Sequence, residues 1–196
     1  VTDMSNMFHG AFKFNRDIST KVVDEGLETQ YNAWDVSSVQ TMANMLNMAK
    51  NAMVNGILRN FWLHGLGDFN NGEEVGLSNK PLLWDTKSFT DMLFLFRQCR
   101  RFNQNVSTKD VTVGGKTYTS FNTSNVTTMR RTFGYCEYFN NGDLPGESSK
   151  PLLWNTELVT NARYMFGIYN NHVLPYSIRG QLPMPQYEKE QLELYL

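Results

Sequence analysis

Apolar side chains recur along this chain in one pattern, which begins with an aromatic residue and ends with Phe-Asn. The middle of the pattern spaces its apolar residues at i, i+3, i+4 and i+7, which places them on one face of an α-helix. The clearest example comprises Met92, Leu95, Phe96 and Cys99. The segment that follows, 102–107, alternates apolar and polar residues as a short strand does. Each copy of the pattern therefore predicts a short helix and then a short strand.

The pattern occurs about five times between residues 1 and 173, in units of about 25 residues. A longer similarity supports it, because 139–154 repeats the Phe-Asn-Asn-Gly start and the Lys-Pro-Leu-Leu-Trp end of 69–84. A short helix is marginal alone, so neighbouring units must stabilise one another by stacking. The sequence thus predicts an α/β, leucine-rich-repeat-like solenoid with a short helix and a short parallel strand per repeat. Its predicted core residues are Met4, Met7, Phe8, Phe14, Trp34, Met42, Met45, Trp84, Met92, Phe96, Cys99, Phe102, Met129, Phe133, Cys136, Phe139, Trp154, Met165 and Phe166.

Segments that interrupt the pattern predict inserted loops. The pairs Asn71-Gly72 and Gly114-Gly115 within them are typical of loop or hairpin corners. From Leu174 the pattern stops, and prolines disfavour regular structure until about Glu188. We therefore divide the chain into a repeat solenoid, 1–173, and a Pro-containing segment, 174–196, which is predicted to cap the last repeat or to dock as an arm on another chain. The insertions are 20–33, 47–68, 71–83, 107–120 and 141–153.

The repeat resembles a known family. Trp-Asp-Val-Ser-Ser-Val-Gln-Thr-Met at 34–42 and the segment 1–19 are similar to the BspA-like surface-protein repeats. These leucine-rich-repeat-like units occur in mycoplasma-type lipoproteins, other bacterial surface proteins, protists and large viruses. The resemblance implies an exposed, non-catalytic module for protein interaction or adhesion, located at the cell surface or extracellularly. The irregular insertions keep a second interpretation open, a minor capsid-associated structural protein of a large virus that neighbouring subunits hold in the virion.

The composition restricts the classes of partner that we expect the chain to bind. With 41% hydrophobic residues, 19% charged residues and a formal net charge of −1, the chain has no overall field that would attract nucleic acid. No apolar run is long enough to span a bilayer. We expect other proteins as partners, including neighbouring subunits of a larger assembly. Because the chain begins at Val1 within a motif, we interpret it as a fragment or processed product, and a preceding signal or anchor stays open.

The sequence offers no catalytic or metal-binding motif. His9, His64 and His172 are isolated from one another, and no Cys or carboxylate lies at metal-ligand spacing. We therefore predict neither an enzyme nor a cofactor. The two cysteines, Cys99 and Cys136, share one repeat position and are predicted to be free core thiols. A disulfide is the alternative, disfavoured because helices about 10 Å apart would exceed its reach.

Five arginines are the candidate partner-binding residues. They lie outside the predicted core stripe and are expected to project from neighbouring helices as a basic patch that contacts an acidic partner or phosphate groups. The alternative is a solvated helical face on which the arginines pair with nearby carboxylates. The five are Arg97, Arg100, Arg101, Arg130 and Arg131.

Overall fold

The computed structural model describes residues 1–48, 51–54, 57–60, 67–144, 147 and 149–166. Its strands form three separate antiparallel pairs, β1 with β2, β3 with β4 and β5 with β6. No helix occurs in these described residues, so the prediction of an α/β solenoid with a helix and a parallel strand per repeat is wrong. The segment 174–196 lies outside the described residues. The strands are β1 Lys21–Val23, β2 Tyr31–Ala33, β3 Asn51–Val54, β4 Ile57–Asn60, β5 Lys109–Val113 and β6 Lys116–Ser120.

Outside the hairpins, the described chain forms five irregular coils that stack side by side. Each coil contributes one residue to a line of isolated parallel bridges. In coil 3 the bridge residue lies ahead of the predicted helix, and the predicted strand at 102–107 does not form. The bridged residues, in coil order, are Asp3, Thr41, Asp91, Thr128 and Asn161. We number the coils accordingly, coil 1 as 1–19, coil 2 as 34–48 with 67–71, coil 3 as 84–107, coil 4 as 121–141 and coil 5 as 154–166.

The backbone hydrogen bonds explain why the helical spacing does not produce helices. In coil 3, the N–H groups of Met92 and Phe94 each donate across to a coil 4 carbonyl at 3.0 Å. The N–H of Leu95, between these crossings, donates back to the Met92 carbonyl at 3.2 Å and closes a tight turn. An α-helix would instead keep these bonds within its own segment, four residues apart. Alternate N–H groups therefore hold the neighbouring coil, and each coil is a chain of turns.

The turns require a left-handed residue three positions after each bridge. Phe94 adopts φ of 57° there, and its counterparts in the other coils do the same. Asp91 Oδ1 accepts the Leu93 N–H at 2.7 Å and so begins a turn. The left-handed residues at this position are Asn6, Asn44, Phe94, Arg131 and Tyr164.

Stacked aromatic rings fill the space between the coils. One column follows Phe14, Phe69, Phe102 and Phe139, with successive ring centroids 5.9, 5.7 and 5.9 Å apart. Full burial of such a side chain contributes about 1.5–3 kcal/mol, so the columns supply a large part of the stability that no single coil has.

Most predicted core residues are buried or pack partly buried against the core. Met7 is the exception, because 48% of it is exposed. It lies on coil 1, which has a neighbouring coil on only one side among the described residues. Met45 occupies the same repeat position on coil 2 and is fully buried between coils 1 and 3.

An asparagine ladder runs beside the phenylalanine column. Asn15 Oδ1 accepts the Asn70 N–H at 2.8 Å, Asn70 Oδ1 accepts the Asn103 N–H at 2.9 Å, and Asn103 Oδ1 accepts the Asn140 N–H at 2.7 Å. Each side chain thus satisfies a backbone donor of the next coil. The Phe-Asn pair that ends the sequence pattern is explained by these two adjacent columns.

Two loops, 72–80 and the described residues of 142–150, which we call the ledge loops, are held in the same way. Asn71 Oδ1 accepts the Ile18 N–H at 2.8 Å, and its Nδ2 donates to the Lys80 carbonyl at 2.6 Å. Asn141 makes the equivalent bonds to the Val106 N–H and the Lys150 carbonyl, at 2.9 and 2.8 Å. Each ledge loop is therefore tied to the coil that precedes its own.

The β1–β2 and β5–β6 hairpins leave the stack where coils 1 and 3 end, whereas the β3–β4 hairpin lies within the interruption of coil 2. The bases of the first two hairpins are closed alike, by Thr20 Oγ1 donating to the Trp34 carbonyl and Thr108 Oγ1 donating to the Phe121 carbonyl. Gly114 and Gly115 form the turn of the β5–β6 hairpin with φ of 58° and 73°, which confirms the predicted corner.

Candidate functional site

Three of the five candidate arginines gather around one aromatic ring. The guanidinium carbons of Arg97, Arg130 and Arg131 lie 5.3, 5.7 and 6.0 Å from the centroid of the Phe94 ring. Arginine above an aromatic face is a favourable cation–π contact. We call Phe94, Arg97, Arg130, Arg131, Arg163 and Tyr164 the arginine–aromatic face.

The stacking of the coils positions this face. Phe94, Arg131 and Tyr164 share the left-handed repeat position, so they follow one another on coils 3, 4 and 5. Arg131 consequently lies between two rings, with its guanidinium carbon 5.1 Å from the Tyr164 centroid as well. Arg163 also contacts the Tyr164 ring, at 5.4 Å. The side chains of the face are thus held by the backbone of three adjacent coils.

Arg97 was predicted to project into solvent, and this prediction is wrong. It is only 8% exposed, because it lies against Phe94 instead of on the far side of a helix. The Nε atoms of Arg97 and Arg130 are shielded from solvent, and neither has a hydrogen-bond partner among the described residues. Burial lowers the pKa of Arg97, and repulsion from Arg131 lowers it further. Arg97 therefore carries its positive charge where water screens it poorly.

Carboxylates do not balance this charge within the part of the chain that the structure describes. The ion pairs found there include none to Arg97, Arg130 or Arg131. A group of unneutralised guanidiniums is an attractive site for an anion, because each presents several donors in a fixed fork.

The other two candidate arginines lie elsewhere and are ion-paired. Arg100 Nε is 2.6 Å from a Glu137 carboxylate oxygen, and Arg101 Nε is 3.3 Å from an Asp68 oxygen. The two arginine side chains are 43% and 50% exposed, and pairs as accessible to water as these contribute little stability. The five arginines therefore do not form one patch. Arg163, which the sequence analysis did not select, belongs to the face, and its repeat position, equivalent to that of Arg130, is the signal that could have found it.

The pKa values of the two cysteines and of His9, the one described histidine, depart from their ordinary values. Cys99 and Cys136 are free, and their Sγ atoms donate to the Leu46 and Phe96 carbonyls at 3.0 and 2.9 Å. Burial raises the pKa of both thiols. Burial, and then the charge of Arg97, lowers the pKa of His9.

No group of three or more His, Cys, Asp or Glu side chains in the described ranges could hold a metal ion. In the same ranges no helix is long and apolar enough to cross a membrane. His64 and His172 lie outside the described residues.

The stacked coils, with one bridge residue and one ring column position per unit, define a repeat protein. The family described as "Mycoplasma protein of unknown function, DUF285" matches residues 1–117 and, in a second overlapping match, residues 69–173. These matches cover most of the chain, and the chain belongs to this family. No curated protein matches the chain, and no solved structure does. The predicted resemblance is thus confirmed as far as a mycoplasma-associated family.

Proposed function

We propose that this chain is a non-catalytic protein-interaction module that binds an anionic region of a partner protein through the arginine–aromatic face. The observation that supports this function is the gathering of Arg97, Arg130 and Arg131 around Phe94 without a carboxylate partner in the described residues. Charge of one sign held together in this way costs free energy in the free protein, and an anionic partner relieves that cost.

The rigidity of the face supports binding as well. Arg131 is confined between the Phe94 and Tyr164 rings, so it loses less side-chain freedom when a partner binds. Arginine and tyrosine are the residue types that most often dominate the binding energy of protein interfaces. A face of both, mounted on hydrogen-bonded coils, is therefore a preformed interaction surface.

The finer family assignment belongs to this proposal. We place the module among the BspA-like surface repeats, with a role in interaction or adhesion outside the cell. Its sequence pattern at 1–19 and 34–42 and its family membership support this assignment. A position in a virion stays the alternative prediction.

The test compares partner recovery by the whole chain and by two variants. Arg131→Asn is the suitable change in the face, because Asn6 and Asn44 already occupy the same left-handed position on coils 1 and 2. Arg101→Ala removes a positive charge outside the face and is the matched control. Proteins captured from a cell-envelope extract are quantified by mass spectrometry, and the recovered partner is then purified and titrated directly.

We expect the partner to bind the wild type and Arg101→Ala alike, and Arg131→Asn about tenfold or more weakly, as for loss of a charged hydrogen bond. A purified partner that binds Arg131→Asn as tightly as the wild type would contradict the proposed function.

A further inference from the structure

The charge gathered at Phe94 specifies the anion more closely than the proposed function does. Arg97, Arg130 and Arg131 come from two adjacent coils, and each has its guanidinium carbon within 6.0 Å of the same ring centroid. Arg97 and Arg131 are close enough for the charge of Arg131 to lower the pKa of Arg97. Three positive charges therefore share one small region.

A single carboxylate does not match this arrangement well. It carries one negative charge and two oxygens, and one bidentate arginine is enough to occupy both. A phosphate group on a Ser, Thr or Tyr side chain carries about −1.5 to −2 charges at pH 7 and three acceptor oxygens. Three guanidiniums offer one donor fork for each of these oxygens, and their three positive charges are more than enough to neutralise the dianion.

The unpartnered donors point in the same direction. Arg97 is more than nine-tenths buried, and its Nε and that of Arg130 lack a hydrogen-bond partner in the described ranges. A shielded donor without a partner is costly. A small rotation of either guanidinium toward a bound dianion would give it an acceptor, and the dianion would also remove the repulsion between Arg97 and Arg131.

We infer that the cluster of Arg97, Arg130 and Arg131 around Phe94 binds a dianionic phosphate group on a side chain of the partner protein. This inference rests on the proposed function, since it names the chemical group that the arginine–aromatic face recognises. A nucleic acid is a different partner and is less favoured, because each of its backbone phosphates carries a single charge and the chain has a formal net charge of −1.

Calorimetric titration of the whole chain tests the inference with four probes. They are a peptide with one phosphoserine between Gly and Ala residues, the same peptide with Glu in place of phosphoserine, inorganic phosphate alone, and a single-stranded oligonucleotide. We expect the phosphoserine peptide to bind at least about tenfold more tightly than the Glu peptide, as for one additional charged hydrogen bond. Inorganic phosphate should compete with it, because the dianion is the recognised group.

The pH dependence and the variants sharpen the test. Binding of the phosphoserine peptide should weaken as the pH falls through about 6, where the phosphate becomes a monoanion. Arg131→Asn should weaken it about tenfold or more, whereas Arg101→Ala should leave it unchanged. Far-ultraviolet circular dichroism and the unfolding midpoint confirm that both variants are folded.

Three results would overturn the inference. Equal affinity for the phosphoserine and Glu peptides would leave the proposed function intact and show that the cluster binds carboxylates. A second such result is that neither peptide binds, while the extracted partner still binds the wild type and not Arg131→Asn. This result would reject phosphate recognition and leave the proposed function intact. Tighter binding of the oligonucleotide than of either peptide would reject both proposals.

Discussion

The Oδ1 atom of Asn103 accepts the backbone N–H of Asn140 at 2.7 Å, so a side chain of coil 3 takes the place of a backbone acceptor for coil 4. The same oxygen accepts the Gly142 N–H at 3.0 Å, and Asn103 Nδ2 donates to the Asp143 carbonyl at 2.9 Å. Asn103→Ala leaves these buried groups without their partner, at a cost of about 1–3 kcal/mol each. We expect the free energy of unfolding to fall by about 3 kcal/mol or more, measured by urea denaturation.

Asn125→Ala is the matched control for this change. Asn125 Nδ2 also donates to a carbonyl, that of Lys87, but the bond is exposed. Its loss should cost less than about 1 kcal/mol, because water replaces the partner. Equal effects of the two substitutions would show that the ladder contributes nothing beyond ordinary hydrogen bonding.

Met45 and Met7 allow a comparison of burial at one repeat position. Met45 is fully buried and Met7 is 48% exposed. Met45→Ala should lower the free energy of unfolding by about 2–5 kcal/mol, since it removes buried methylenes and leaves a cavity. Met7→Ala should cost less than about 1 kcal/mol, because its side chain is already partly in water. Similar losses at both positions would mean that the side chain of Met7 is covered in solution.

The ionisation of Asp143 makes the stability of the fold depend on pH. Burial raises the pKa of this carboxyl, but the Lys150 N–H, the Ser149 hydroxyl and the Lys150 charge outweigh burial, so its pKa is lowered. A group with a lowered folded-state pKa contributes stability above its ordinary pKa, and this contribution is lost as the pH falls through the folded value. Asp143→Asn should therefore be less stable than the wild type at about pH 6, and the difference should shrink below about pH 4.

The measurement for Asp143→Asn is denaturant unfolding at a series of pH values. Asp110→Asn, in the exposed β5–β6 hairpin, is the control and should keep the pH dependence of the wild type. A difference between Asp143→Asn and the wild type that stays constant from about pH 6 to pH 3 would argue that the carboxylate charge contributes no stability.

The two cysteine thiols should react slowly in the folded protein. Burial raises the pKa of Cys99 and of Cys136, and each Sγ already donates to a carbonyl. Because the thiolate is the reactive form, alkylation by iodoacetamide should be at least about tenfold slower than for an unfolded chain. Mass spectrometry reports the rate at each site. Fast labelling of Cys99 without loss of structure would contradict its buried position.

The apolar spacing predicted which residues are buried but not the backbone that buries them. Met92, Leu95 and Phe96 lie inside as expected, although no helix carries them. A sequence pattern reports which side of a segment faces inward, whereas the path of the backbone depends on hydrogen bonds to the neighbouring coil. The left-handed residues give a partial signal, since Asn6 and Asn44 favour that conformation. Phe94 and Tyr164 occupy the same position without that preference, so their residue types do not indicate the left-handed conformation.

The candidate site was predicted in part for the same reason. Helical projection grouped Arg100 and Arg101 with Arg97, because a helix would have spread all three over one outer surface. The turns of coil 3 instead place Arg97 against Phe94, while Arg100 and Arg101 pair with Glu137 and Asp68. Aligning the sequence repeats of coils 4 and 5 would have placed Arg130 and Arg163 at the same position.

Each ledge loop is attached to the coil before its own. The structural repeat unit therefore comprises two coils. Asn71 binds the end of coil 1, and Asn141 binds the end of coil 3, so the exits of the β1–β2 and β5–β6 hairpins alternate with the ledge loops. Duplicating a single coil would bring two hairpin exits together and leave one of them without its asparagine. Engineered versions of this protein should therefore be lengthened or shortened by two coils at a time. Each such step adds or removes one hairpin exit and one ledge loop.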